Sequence, residues 1–229
     1  ADIRGLIDSF NAMQSRVMAL LNEKDVMLGA IGHDLKTPLA ALRVRIESVD
    51  DEAEREKMAA IIDEMSTMMD DILMLARLGK SVEAPQKVNL NALIDDIATE
   101  FSDRGHAVTF DRGAGDIAVP VRPVLIRRAL RNIIDNAVKY GKAARISAVE
   151  SEGRVKVVVD DDCPGISDDM MEQMFEPFVR AERSRNRETG GTGLGLTIAR
   201  AIVRSHDGEI LPENREGGGL RIIIDLPSG

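Results

Sequence analysis

The sequence predicts an α plus α+β protein: a helical hairpin that dimerises into a four-helix bundle, followed by a mixed α/β sandwich. Three observations predict it. Residues 1–78 hold three of the nineteen glycines and one of the eight prolines but eight of the eleven methionines, a composition that favours unbroken helix. Apolar residues in that stretch recur in steps of three and four. Beyond Gly79, helical and alternating segments mix with frequent turn residues, without the regular strand–helix alternation of a doubly wound sheet.

In the first helix Leu6, Phe10, Met13, Val17 and Leu20 form a heptad seam that resumes through Met27, Ile31, Leu35, Leu39, Leu42, Ile46 and Val49. The successive steps of four from Met27 to Leu39 are a stutter. Pro38 lacks the N–H that would bond the carbonyl of Asp34, which predicts a bend there. After the acidic turn Asp50–Asp51 a second helix runs to about Leu78, with a seam of Met58, Ile61, Met65, Met68, Ile72 and Leu75. Gly79 suits its C-terminal cap. A lone pair of such helices covers both stripes poorly, whereas two hairpins cover all four. A homodimer is expected over a monomeric hairpin packed on the second domain.

Gly79–Lys87 reads as a linker. Leu90, Leu93, Ile94, Ile97 and Phe101 mark a helix, and short strands are expected at 106–111 and 116–121. A helix over 123–140 carries Pro123 in its first turn. Residues 144–150 and 154–160 read as paired strands, Gly193 to about Ser205 as a helix, and 208–211 and 219–226 as closing strands. A net charge of -9 argues against nucleic acid or an anionic membrane surface as the main partner. The single cysteine, Cys163, excludes an internal disulfide and a cysteine-cluster metal site. No apolar run approaches the length of about 18 residues that spans a bilayer, so a soluble chain, or the soluble part of a longer one, is expected.

Four segments carry chemistry. In GHDLKTPL, His33 lies two positions from Ile31 and from Leu35, both on the seam, so it points away from the core into water. Thr37 shares that face and Asp34 adjoins. Taken singly His33 reads first as a solvated surface histidine; beside a carboxylate, the stutter and the Pro38 bend, it reads as a nucleophile or general base. Asn132 and Asn136 lie one turn apart on the 123–140 helix, with Lys139 and Tyr140 continuing the face. A carboxamide oxygen suits a hard cation such as Mg²⁺ and a lysine suits phosphate; the plain alternative is one capping and one exposed asparagine. VVVDDDCPGIS runs from a strand into a carboxylate-rich turn able to accept from an exocyclic amine, or is a simple acidic turn. In GGTGLGL, residues 190–196, glycines let backbone N–H groups approach an anion at a helix N-terminus. That spacing matches neither the Walker A loop nor the dinucleotide fingerprint. The charged stretch 182–189 has the make-up of a lid over a pocket or of an idle loop.

Together, in this order, these segments resemble a bacterial sensor histidine kinase. GHDLKTPL resembles the phospho-acceptor box, RNIIDNAVKYG the N box, DDDCPGI the G1 box, FEPF the F box and GGTGLGL the G2 box; GGGLRIIIDLP is similar to the family's closing strand. The opening DIRGLIDSFNAM resembles the end of a HAMP linker. The resemblance spans essentially the whole chain and implies a HAMP end over 1–22, a dimerisation and phosphotransfer domain over 23–79, a linker over 80–87 and an ATP-binding domain over 88–229.

It further implies autophosphorylation of His33 from ATP with Mg²⁺, with Asp34 as general base and Thr37 orienting water when the protein acts as a phosphatase. Asn136 matches the Mg²⁺ ligand, and Asn132, Lys139 and Tyr140 match nucleotide contacts. Asp161 matches the reader of the adenine amine, with Gly165 in the same box. Arg180 matches a basic residue near the phosphates. In the G2 box, Gly191, Thr192, Gly193, Leu194 and Gly195 match the lid hinge and phosphate approach. The implied partners are a second copy of the chain and a response-regulator receiver domain. The implied location is the cytoplasm, below an inner-membrane anchor in the parent protein. One departure stands out: Cys163 occupies a place the family usually gives to glycine, where it would strain a positive-φ turn or crowd the nucleotide. That departure keeps a pseudokinase as a rival. An ATP hydrolase of the same fold would carry a glutamate where Asn132 stands.

Overall fold

Scarcity of glycine and proline before residue 78 produces two long helices, α1 (Ile3–Ile46) and α2 (Glu52–Arg77). The computed structural model describes residues 3–77, 83–113, 115–179 and 192–229 and divides into two units, Ala1–Arg77 and Leu78–Gly229. α1 does not end at Pro38 but continues as one α-helix through it, so the stutter is absorbed without a break. Asp51 caps α2 by accepting from the N–H of Glu54 at 3.1 Å. Glu52 and Glu54 place negative charge in the first turn, where the helix dipole favours it.

The two helices are joined by a narrow apolar strip: Leu39 and Ile46 from α1, Ile62 and Met69 from α2, with Leu73 packed against them. Ion pairs flank it, Lys36 with Asp70 at 2.8 Å and Arg43 with Asp63. The α2 seam therefore differs from the predicted one. Ile62 and Met69, each one position beyond a predicted seam residue, face α1. Met58, Ile61, Met65 and Ile72 stay exposed, as do Ile31, Leu35 and Leu42 on α1. One partner helix covers one column of side chains, and the wider stripe lies outside its reach.

The second unit contains β1 (Gln86–Asn89), α3 (Leu90–Asp103), β2 (Ala107–Asp111), β3 (Ala118–Val121), α4 (Pro123–Gly141), β4 (Ala143–Ser151) and β5 (Arg154–Asp160). It closes with α5 (Asp168–Gln173), α6 (Gly195–Arg204), β6 (Glu209–Asn214) and β7 (Leu220–Pro227). Five strands form a sheet in the order β2-β4-β5-β7-β6, parallel only between β2 and β4; β1 and β3 pair separately and antiparallel. Gln86 and Lys87, which composition assigns to the linker, belong to β1. Val155, Val157 and Val159 of β5 and Leu220, Ile222, Ile224 and Leu226 of β7 are buried while their neighbours are not. This period of two gives the sheet one apolar face. The apolar sides of α3, α4 and α6 supply the complementary layer, led by Ile94, Ile97, Ile126, Leu130, Ile133, Ile198 and Ile202. Burial of these side chains drives the fold at about 1.5–3 kcal/mol each.

Candidate active site and phospho-acceptor helix

Strand geometry decides which of three successive aspartates turns inward. β5 ends at Asp160, whose cross-strand neighbours are Arg145 on β4 and Arg221 on β7. Arg221 grips the Asp160 carboxylate with two bonds of 2.7 and 2.8 Å and holds its pKa below the usual carboxylate range despite partial burial. Asp162 pairs with Arg145, whose hydrogen bond lowers the Asp162 pKa to about 2. Because successive side chains alternate, Asp161 turns the other way and is 3% exposed. Its Oδ1 accepts from the N–H of Cys163 at 2.9 Å and of Leu220 at 3.0 Å.

Cys163 is buried and its φ is not positive, so the strain expected for a side chain in this place does not arise. Its Sγ accepts from the N–H of Gly165 at 3.3 Å. Burial, and then a hydrogen bond to Asp161, push the thiol pKa up. Gly165 follows at φ +85°.

α4 carries Asn132, Asn136, Lys139 and Tyr140, all half-buried. Asn132 donates from Nδ2 to the carbonyl of Gly195 at 3.0 Å, tying α4 to the first turn of α6. At its other end α4 touches the carboxylate run. A Cβ on Gly141 would fall 2.5 Å from that of Asp161 and 2.7 Å from the nitrogen of Asp162, so only glycine permits this approach. The Lys139 ammonium lies 5.5 Å from the centroid of the Tyr140 ring.

Before α6, Thr192 accepts at Oγ1 from the N–H of Leu194 at 3.2 Å. The carbonyl of Gly193 accepts from the N–H of Phe178 at 3.0 Å. Phe175 is buried beneath the Arg200 guanidinium, 5.3 Å from its ring. Phe178 and Gly193, which lie on either side of the predicted lid in the sequence, are thus joined. Arg180, Gly191 and the lid itself, 182–189, lie outside the described residues. The N, G1, F and G2 boxes, spread over residues 131–196, are joined through Asn132–Gly195, Gly141–Asp161 and Phe178–Gly193.

Residues 121–229 match the family model for the histidine kinase-, DNA gyrase B- and HSP90-like ATPase, and residues 23–81 match the His kinase A (phospho-acceptor) domain. Over 219 residues the chain is 37% identical to the sensor histidine kinase GtrS of Pseudomonas aeruginosa, covering 96% of this chain and 45% of that protein. This chain belongs to the sensor histidine kinases. It is also 32% identical over 230 residues to the sensor histidine kinase CpxA of Escherichia coli K12, covering 96% and 50%. The chain spans about half the length of the curated relatives it matches. Among solved structures, full-length ShkA in complex with AMPPNP aligns with a TM-score of 0.75 over 89% of this chain and 46% of that one. At 23% identity that likeness is one of fold. The histidine kinase domain of the E. coli osmosensor EnvZ aligns with a TM-score of 0.51 at 32% identity, covering 65% and 91%.

In this histidine kinase chain His33 stands on α1 with its side chain 83% exposed, beside Asp34 at 80%. Its Nδ1 lies 3.4 Å from Asp34 Oδ1. Thr37 donates from Oγ1 to the carbonyl of His33 at 3.3 Å, a back-bond one turn long. Gly32 is buried against Leu73 of α2, where a Cβ would come within 2.3 Å of Cδ1; it lets α2 pack directly behind the histidine. No described helix is long and apolar enough to cross a membrane. Among the described residues no group of three or more His, Cys, Asp or Glu gathers into a metal site. The amide oxygen of Asn136 is a neutral, hard donor. It fits a Mg²⁺ whose remaining ligands are phosphate oxygens and water.

Proposed function

We propose that this chain is the kinase portion of a two-component sensor. ATP held by the second unit phosphorylates His33, and the phosphoryl group then passes to an aspartate of a response-regulator receiver domain. The observation that carries this reading is the joining of the four boxes, through Gly141–Asp161, Asn132–Gly195 and Phe178–Gly193, in the same chain as an exposed histidine–aspartate pair. With Asp34 against Nδ1, the tautomer protonated at Nδ1 leaves the lone pair of Nε2 facing outward. Nε2 attacks the γ-phosphorus, the bond to the ADP oxygen breaks, and Asp34 takes up the Nδ1 proton. Asp161 accepts from the adenine amine, Asn132 and Tyr140 line the nucleotide, and Lys139 sets positive charge near its phosphates. Asn136 would hold Mg²⁺, which when bound neutralises charge on the phosphate oxygens. Thr37 directs water at the phosphorylated regulator in the reverse, phosphatase mode.

The active form is a homodimer, because the exposed stripes of α1 and α2 are completed by the same stripes of a second hairpin. The full-length kinase sits at the inner membrane with this portion in the cytoplasm. Calorimetric titration with ATP and Mg²⁺ tests the nucleotide half of the proposal. The parent binds, Asn136→Ala loses Mg²⁺-dependent binding by at least about tenfold, and His33→Gln binds as the parent does. Unchanged binding in Asn136→Ala would remove the N-box assignment.

A further inference from the structure

Beyond the β5–β7 ladder one further backbone bond, from the Asp161 N–H to the carbonyl of Leu220 at 2.9 Å, holds the chain that leads to α5. Two side chains at the end of β6 hold this segment further along. Asn214 accepts at Oδ1 from the N–H of Ile166 at 3.0 Å and donates from Nδ2 to the carbonyl of the same residue at 2.7 Å. Its amide thereby copies the two-bond pairing of a neighbouring strand. Arg215 donates from Nη1 to the carbonyl of Asp161 at 2.7 Å and to Asp162 Oδ1 at 3.2 Å, and its Nε lies 3.6 Å from Asp160. One side chain therefore touches all three aspartates, and the other fixes the far end of the segment.

The turn that presents them is built for close approach. Arg215 N–H donates to the carbonyl of Gly219 at 2.9 Å and Gly218 N–H to that of Arg215 at 3.1 Å. Gly219 sits at φ +103°, and a Cβ there would come within 2.2 Å of the Asp161 carbonyl oxygen. The next residue, Leu220, donates its N–H to Asp161 Oδ1. Backbone and side chains of 214–220 thus grip 161–166 from one side.

We infer that Asn214 and Arg215 are positioning residues that set base specificity through Asp161. Neither is assigned to contact nucleotide. A carboxylate discriminates an exocyclic amine from a carbonyl only when held to within about 0.5 Å of the productive geometry. Clamping the backbone at the Asp161 carbonyl and again at Ile166 supplies that constraint. The inference rests on the reading of Asp161 as the acceptor for the adenine amine.

The test compares ATP with inosine triphosphate, which carries a carbonyl where adenine carries its amine, on the full chain with Mg²⁺. The variants are Asn214→Ala, Arg215→Met and Arg215→Lys, with a melting curve for each. The parent should prefer ATP. Asn214→Ala and Arg215→Met should each weaken ATP binding about tenfold while leaving inosine triphosphate within about twofold, so the preference falls about tenfold. Arg215→Lys, which keeps a donor to the Asp161 carbonyl, should recover part of it. Equal losses for both nucleotides, or an unchanged preference, would show that the clamp serves stability alone and would overturn the inference. If Arg215→Met fails to fold, Asn214→Ala and Arg215→Lys still decide. A parent that binds ATP without preferring it over inosine triphosphate would instead refute the role of Asp161 itself.

Discussion

The two units of this chain solve the burial problem to different degrees. The second encloses Leu90, Ile94, Ile97, Val119, Val155, Val157, Ile198, Ile202, Val203 and Ile224 with no measurable exposure. The first buries Leu39, Ile46, Ile62 and Met69 only to 7–9% exposure and leaves Leu6, Phe10, Met27, Leu35, Met58, Ile61 and Met65 substantially open. A sheet covered by a helical layer satisfies its apolar face within one chain, whereas two helices share only one strip. The proposed function puts nucleotide chemistry on the closed unit, where carboxylates and glycines are held in fixed register. It puts the phospho-acceptor on the open one, whose exposed stripes leave surface for the proposed partners.

The contrast is broken most severely in the closed unit. Val157→Asp places an unpaired charge at a fully buried strand position and should cost more than about 4 kcal/mol, unfolding the second unit and abolishing ATP binding. Met65→Asp, on the open stripe, should hardly alter the helicity of a single hairpin but should shift the chain from dimer to monomer in sedimentation. A Met65→Asp chain that remains dimeric would show that this stripe is not the interface.

A subtler asymmetry concerns His206, buried at the end of α6. Its Nε2 accepts from the N–H of Arg122 at 3.0 Å and its Nδ1 faces the carbonyl of Ile202 at 2.8 Å. Glu83, Arg122 and Asp207 are the charged neighbours, and burial lowers its pKa from the ordinary value. The unfolded chain takes up this proton more readily than the folded one. Stability from His206 is therefore complete above about pH 6.5 and is lost as pH falls from there through the depressed folded pKa, by at most about 1.4 kcal/mol per pH unit. Urea denaturation of the second unit should show that slope, and His206→Gln should remove it.

The smallest expected effect is at Cys163. Because its backbone is unstrained, Cys163→Gly should change ATP affinity by no more than about threefold, losing only the weak bond from Gly165 to sulfur. A gain of tenfold or more in the glycine variant would restore the view that the thiol obstructs the nucleotide.

Legibility in the sequence followed the same division. The strands β4, β5 and β7 alternate cleanly and the helices α3, α4 and α6 have one apolar side, so their extents could be read closely. β1 could not, because most of Gln86–Asn89 is exposed and only pairing with β3 makes it a strand; α5, at six residues, is too short to show a period. In α2 the residues at 61, 62, 65, 68 and 69 are all apolar, and no pattern tells which column meets α1. The exposed position of His33 followed from helical spacing. The choice of Asp161 among three aspartates came from the family resemblance, and the alternation at the end of β5 gives its physical reason. Asn214 and Arg215 were invisible because they act across some fifty residues on an irregular segment beyond the end of β5. Gly32 and Gly141 needed a partner surface before their lack of a side chain meant anything.

On the proposed function the closed unit delivers phosphate to the open one at a single histidine. Incubating the chain with γ-labelled ATP and Mg²⁺, then treating it with acid and with base, tests this directly. The label should be lost in acid and survive base, as a phosphohistidine does, and should be absent from His33→Gln although that variant still binds ATP. Label persisting in His33→Gln at the parent level, or no label in a parent that binds ATP, would contradict it.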